Sequence, residues 1–219
     1  MKREEFINSN YIDRLISLCC RFYLPLNTDY TDVIGNNTGT VAGSVGSFDN
    51  DKGLRFTGNG GLYFPNTVFN WLGYNQSFTA LVDFYLMQPP GNFAKMFVFV
   101  PNSNVLAMEK GLSFSIPDGN LIYAHMCEGS YVNAFGNTGY SYNAQYNKFG
   151  LAYDGSTHVF HIIENGIISQ SSNTCSSWTS GYTNLYIGRV QYNSGLFNGY
   201  IRNLMVFDKA LTQQEINKL

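Results

Sequence analysis

Two periods of hydrophobic spacing divide the chain. From Arg3 to Leu18 the apolar residues Phe6, Ile7, Tyr11, Ile12, Leu15, Ile16 and Leu18 recur at helical spacing, while Glu4, Glu5, Asn8, Asn10, Asp13 and Arg14 fill the other face. That pattern predicts an amphipathic helix of about three to four turns. From Leu18 onward the period becomes two, the spacing of a strand with alternating faces. Phe78, Ala80, Val82, Phe84 and Leu86 alternate with Thr79, Leu81, Asp83 and Tyr85 most clearly. Further strands are predicted at 18–24, 38–41, 54–57, 62–64, 95–100, 105–108, 112–116, 121–125, 148–153, 158–164, 167–170, 184–189 and 200–207. Turn residues separate them, among them Gly58-Asn59-Gly60-Gly61, Pro117-Asp118-Gly119-Asn120, Asp154-Gly155 and Asn165-Gly166. A short helix is predicted at 211–219, where Thr212 and Glu215 have capping-box spacing. A dozen or so short strands with no interior helix imply an all-β fold, an antiparallel two-sheet β-sandwich of jelly-roll type. The expected organisation is a helical assembly or capping segment at 1–17 and one sandwich domain at 18–219.

Composition narrows what such a sandwich can do. The chain has 219 residues, 13 Lys and Arg against 15 Asp and Glu, and a formal net charge of −2. That balance offers no electrostatic footprint for nucleic acid or for an anionic membrane. Aromatic residues make up 16% and hydrophobic residues 44%, too much for a disordered chain. No apolar run is long enough to span a bilayer, and acids at Glu4 and Glu5 interrupt any secretory leader. Cys19, Cys20, Cys127 and Cys175 form no Cys-x-x-Cys pair and are expected to be free thiols, with Cys19 and Cys20 on opposite faces of a strand.

Several segments resemble laminin-G-like, concanavalin A-like domains. Leu185-Tyr186-Ile187-Gly188-Arg189, Phe197-Asn198-Gly199-Tyr200-Ile201 and Val206-Phe207-Asp208-Lys209-Ala210-Leu211-Thr212, with Glu215-Ile216, are similar to the closing stretch of that family. Tyr153-Asp154-Gly155-Ser156 and Glu164-Asn165-Gly166 resemble its central hairpin. Phe22-Tyr23-Leu24-Pro25-Leu26, Asp32-Val33-Ile34-Gly35-Asn36 and Leu54-Arg55-Phe56-Thr57-Gly58 resemble its first strands. The likeness runs from about Leu18 to Leu219 and omits the opening helix. It implies a sandwich on which Gly188 and Gly199 lie where the sheets bend or pass closely, and on which a calcium ion is possible; Asp29, Asp32, Asp49, Asp83 and Asp118 are all possible donors, and no ligand set is singled out. No other cofactor is expected.

Catalytic patterns are missing from the sequence. No Glu-x-Asp-x-x-Glu run places paired carboxylates on one strand, as retaining glucanases of this architecture do. Asp49 and Asp51 belong to a turn, and no Gly-x-Ser-x-Gly elbow or phosphate loop occurs. His125, His158 and His161 read as ordinary strand histidines. The chain is therefore expected not to be an enzyme.

Recognition surfaces remain. The 127–147 stretch reads as a long Gly, Asn and Ser-rich loop carrying Tyr131, Tyr140, Tyr142 and Tyr146; a second aromatic group is Trp178 with Tyr182. Tyr and Asn suit sugars and protein partners alike, because a Tyr ring covers apolar area while keeping a polar tip. Phe6, Ile7, Tyr11, Ile12, Leu15 and Ile16 form the candidate assembly stripe, which must be covered by the chain's own sheet or by a neighbour. The main expectation is a non-catalytic structural or adhesion component of a virion surface, such as a phage capsid or tail appendage. Its partners would be other structural proteins or copies of itself in a dimer or trimer. The alternative is a carbohydrate-binding lectin module, extracellular or at a cell surface, that takes a surface glycan.

Overall fold

The computed structural model describes residues 9–65, 67–87, 94–101, 110–116, 123–128, 134–135, 145–169, 173–174, 182–189 and 196–219. In chain order its elements are α1 (Ser9–Ser17), β1 (Cys20–Leu24), β2 (Thr40–Ser44), β3 (Phe48–Asp49), β4 (Gly53–Thr57), β5 (Asn59–Phe64), β6 (Phe78–Leu86), β7 (Ala94–Pro101) and β8 (Lys110–Ile116). They continue with β9 (Tyr123–Glu128), β10 (Ala134–Phe135), β11 (Tyr146–Asp154), β12 (Val159–Glu164), β13 (Ile167–Ile168), β14 (Asn173–Thr174), β15 (Tyr182–Ile187), β16 (Asn198–Phe207) and α2 (Gln213–Ile216). The larger sheet runs β13-β12-β11-β6-β16-β4-β3, with β1 also paired to β16 and β14 to β12. The smaller sheet runs β10-β9-β8-β7-β15-β5-β2. The fold is the expected antiparallel sandwich with a helix near each end.

Aromatic content goes into the space between the sheets. The inward row of β6, Phe78, Ala80, Val82, Phe84 and Leu86, is buried as its alternation predicts. It shares one cluster with Phe22, Phe56, Phe64, Phe97, Phe99, Phe114 and Phe149. Phe97 and Phe114 stack at 4.2 Å, and Phe22 meets Phe64 edge-on at 5.2 Å, arrangements that add to the transfer of these rings from water. The sheets approach closely at Gly188, whose φ is +77° and whose added Cβ would lie 2.2 Å from the Phe56 ring.

A second apolar cluster lies on the outer face of the larger sheet. Leu15 of α1 is fully buried there with Leu18, Tyr23, Leu81, Met205, Phe207 and Ile216. The helix thus covers its own sheet. At the other end Thr212 and Glu215 form the expected capping box. Gln213 of α2 accepts from the Ile168 amide at 2.8 Å and donates to the Gly166 carbonyl at 2.7 Å, which satisfies the edge strand β13.

Some boundaries differ from the sequence expectation. Cys19 takes φ 62° in the turn that leaves α1, so it is not a strand residue; β1 begins at the buried Cys20. A single residue, Gly58, separates β4 from β5 where the chain passes from one sheet to the other, in place of the expected four-residue turn. Asn165 (φ 49°) and Gly166 (φ 84°) make the anticipated hairpin turn with two positive φ values. At the 154–155 hairpin the positive φ instead falls on His158. The strand expected at 105–108 lies outside the described residues.

Candidate functional site

Beyond the reach of α1 the outer face of the larger sheet changes character. Register places Tyr146 of β11 opposite Tyr85 of β6, Tyr85 opposite Tyr200 of β16, and Tyr200 opposite Arg55 of β4. At a strand spacing of about 4.8 Å these four residues form a row about 14 Å long. The Tyr85 ring lies 5.6 Å from Tyr146 and 6.3 Å from Tyr200, inclined by 52° and 74°. The row is therefore ridged rather than flat.

Cations crown it. The Lys52 ammonium is 5.9 Å from the Tyr85 ring centre and 5.4 Å from that of Tyr200. Arg55 sits 5.4 Å over Tyr200, and the Arg202 guanidinium lies 3.8 Å over Tyr146. Such contacts are worth about 0.5–1 kcal/mol each when exposed. Hydrogen bonds fix the row in place. Tyr146 donates to the Lys52 carbonyl at 2.5 Å, Arg55 donates to Asn198 Oδ1 at 2.7 Å, and Arg202 donates to the Asp51 carbonyl at 2.7 Å.

One rung further in, Lys148, Asp83 and Arg202 stand in register. Asp83 is buried; its Oδ2 accepts from Asn203 Nδ2 at 2.9 Å and lies 3.8 Å from Arg202 Nε. Neither Asp83 Oδ1 nor Arg202 Nε has a hydrogen-bond partner. Burial pushes the Asp83 carboxyl above the usual carboxylate range, against the pull of Lys148, the Asn203 hydrogen bond and Arg202. Asn203 reaches it because β16 bulges between Arg202 and Met205, with Asn203 at φ 52°, and the Asn203 Oδ1 also accepts from Tyr23 at 3.0 Å. Tyr11 of α1 closes this polar seam, its ring 5.9 Å from Tyr23 and its phenol pushed up to about 12 by burial.

Of the anticipated recognition residues, Tyr146 belongs to this row, on a strand rather than in the expected loop. Tyr182 opens β15 in the other sheet, away from it. Tyr131, Tyr140, Tyr142 and Trp178 lie outside the described residues. In the assembly stripe, Leu15 is buried and Tyr11 and Ile12 are half-buried against the chain's own sheet, whereas Ile16 is 53% exposed. Phe6 and Ile7 lie outside the described residues. Tyr85, Tyr200, Lys52, Arg55 and Arg202 were not singled out from sequence. The alternation of β6 already set Tyr85 on the face opposite the core, and that was the available signal.

Calcium donors fare differently. Both oxygens of the buried Asp32 are taken, by the amides of Tyr23, Ile34 and Gly35 and the side chain of Asn37. Asp49 accepts from the amides of its own turn, Asp51 and Lys52. Among the described residues no three His, Cys, Asp or Glu side chains group to hold a metal ion. His158 stacks on Tyr74 at 3.9 Å and bonds Tyr153 at 3.0 Å, a packing role at a hairpin tip.

A family model described as the concanavalin A-like lectin/glucanases superfamily matches residues 56–217. No curated protein sequence matches the chain. Among solved structures the chain is similar to domain 4 of AbnA, a GH43 extracellular arabinanase from Geobacillus stearothermophilus, solved with arabinotriose. That likeness has 19% identity and a TM-score of 0.69, covering 91% of this chain and 97% of that one. The binding domain of botulinum neurotoxin DC in complex with SialylT is similar at 15% identity and a TM-score of 0.65, covering 91% of this chain and 50% of that one. Trypanosoma rangeli sialidase, in complex with 2,3-difluorosialic acid, is similar at 15% identity and a TM-score of 0.62, covering 89% and 31%. The chain spans about half the neurotoxin domain and a third of the sialidase. At these identities the likeness concerns the fold.

Proposed function

We propose a lectin-like function for this chain, which belongs to the concanavalin A-like lectin/glucanases superfamily: a non-catalytic module that binds a surface glycan, in an extracellular or cell-surface setting. The observation that carries this reading is the Tyr146–Tyr85–Tyr200 row in register across three strands, with Arg55 and Arg202 pinned beside it by hydrogen bonds. Side chains on paired strands keep their spacing without a ligand, so little ordering is lost on binding. Tyrosine rings supply apolar area for the C–H faces of a saccharide, and the lysine and arginine N–H groups bond its oxygens.

The relatives favour this reading over a virion component, since AbnA domain 4 was solved with an oligosaccharide and the other two neighbours were solved with SialylT and a sialic acid derivative. The sialidase likeness also raises catalysis. Against that stands the row's chemistry: Asp83 is the one carboxyl on its two rungs, and it faces Asn203 and Arg202 rather than a second acid. The row therefore offers no carboxylate pair, the commonest arrangement of a glycoside hydrolase.

A glycan array with the full chain tests the reading. Binding to at least one glycan class is expected, and Tyr85→Ala should weaken it about tenfold at a temperature where its melting curve shows the variant fully folded. No binding to any glycan, or binding unchanged in Tyr85→Ala, would overturn it.

A further inference from the structure

The geometry points to an acidic saccharide, one bearing a carboxylate or sulfate, as the ligand of the Tyr146–Tyr85–Tyr200 row. This rests on the lectin reading and names the substrate class for the same site. Four cations, Lys52, Arg55, Lys148 and Arg202, stand on or beside the row. The molecule as a whole carries a formal net charge of −2, so this face runs against the overall balance.

Nearby acids do not cancel the charge. Asp83 is buried under the row, 3.8 Å from Arg202 and in register with Lys148, and burial pushes its carboxyl toward the neutral form. Asp49 holds the amides of its own turn. Asp51 makes no ion pair with these cations, although its carbonyl accepts from Arg202. Among the described residues neither Lys52 nor Lys148 forms an ion pair. The half-buried Lys52 brings its ammonium to 5.9 Å from the Tyr85 ring centre and 5.4 Å from that of Tyr200, between the two rings.

Arg202 sharpens the preference. Its guanidinium is stacked on Tyr146, so that ring face is already occupied and a neutral sugar cannot stack there. What remains is a planar cation beside two tilted rings. A neutral saccharide would use only the rings of Tyr85 and Tyr200. A saccharide with a negative group uses those rings and also pairs its charge with Lys52 and Arg202, through charge-assisted hydrogen bonds roughly twice as strong as neutral ones.

The test uses the full chain and three matched sets of immobilised oligosaccharides: carboxylated, sulfated, and the same backbones with the acidic group removed. Binding to an acidic set about tenfold or more above its neutral counterpart is expected, falling at high salt. The carboxylated and sulfated arms identify which anion is read. Lys52→Gln should bring acidic binding down toward the neutral level with the fold intact, because the hydrogen bonds of Lys52 to its turn and to Tyr146 come from its backbone and only its ring contacts are lost. Equal binding to neutral and acidic sets overturns the proposal and leaves the lectin reading standing. Acidic preference that survives intact in Lys52→Gln also overturns it, by placing the ligand elsewhere. Binding to none of the three sets overturns both.

Discussion

Asp83 sits in the middle of the larger sheet with one oxygen on Asn203 and the other without a partner, beneath a face that carries Lys148 and Arg202. Burial favours the neutral acid and the cations favour the carboxylate; burial is the larger effect, and the group is pushed up from the ordinary 3.8. In the pH range between that ordinary value and the raised one, the folded chain therefore holds a proton that the unfolded chain has released. Folded stability contributed by this group is complete below the ordinary value and declines as pH rises through the window. Asp83→Asn removes the titration but keeps an acceptor for Asn203. The stability of the variant relative to the native chain, measured by urea unfolding from acid to neutral pH, should rise across the window and be flat below it. Parallel curves at every pH would show that Asp83 titrates in the folded chain as it does in the unfolded one. Asp154 has the opposite sense: hydrogen bonds from Ser156 hold it down at about 2, and the stability it gives is lost only as pH falls toward that value. The ratio of variant to native separates the two residues.

Among the elements, α2 shows how four residues can close an edge. Its N-cap Thr212 accepts from the Glu215 amide, Glu215 accepts from the Thr212 amide, and Lys209 pairs with Glu215 at 2.6 Å. Thr212→Ala should cost about 1 kcal/mol in chemical unfolding. It should also speed amide exchange at Ile168, which donates to Gln213 of this helix. A native exchange rate at Ile168 would mean the helix survives without its cap. This box was legible in the sequence, as were the inward face of β6 and the Asn165-Gly166 turn, because each is written within a few consecutive residues. The aromatic row was not. Its members come from strands far apart in the chain, and only long-range register aligns them. Two local features hid it further. Asn147 is a polar residue at a buried position, which made the start of β11 look like loop. The bulge at Asn203 breaks the alternation of β16 between the row and the apolar half of the same strand.

At the scale of the whole molecule the outer face of the larger sheet is split between two uses. One half is apolar, with Leu81, Met205 and Phe207, and takes α1 as its cover; the other half, from Asp83 to Tyr85 and their neighbours, is polar and aromatic and lies beyond the helix. An antiparallel sheet tolerates water on one face only where that face is polar, so the apolar half needs the helix. Leu15 and Ile16 are adjacent in sequence and opposite in role: the first is fully buried against the sheet, the second 53% exposed. Leu15→Ala should therefore destabilise the chain by about 2–5 kcal/mol, the range for a leucine removed from a closed core. Ile16→Ser should change stability by less than about 0.5 kcal/mol. Sizing chromatography with light scattering adds the second readout. If α1 serves as a cover, neither substitution alters the molar mass of the native chain. If it also joins subunits, Ile16→Ser lowers the mass to that of one chain while leaving the melting temperature of that chain where it was. The two substitutions thus divide the face of the helix that folds the molecule from the face that could join it to another.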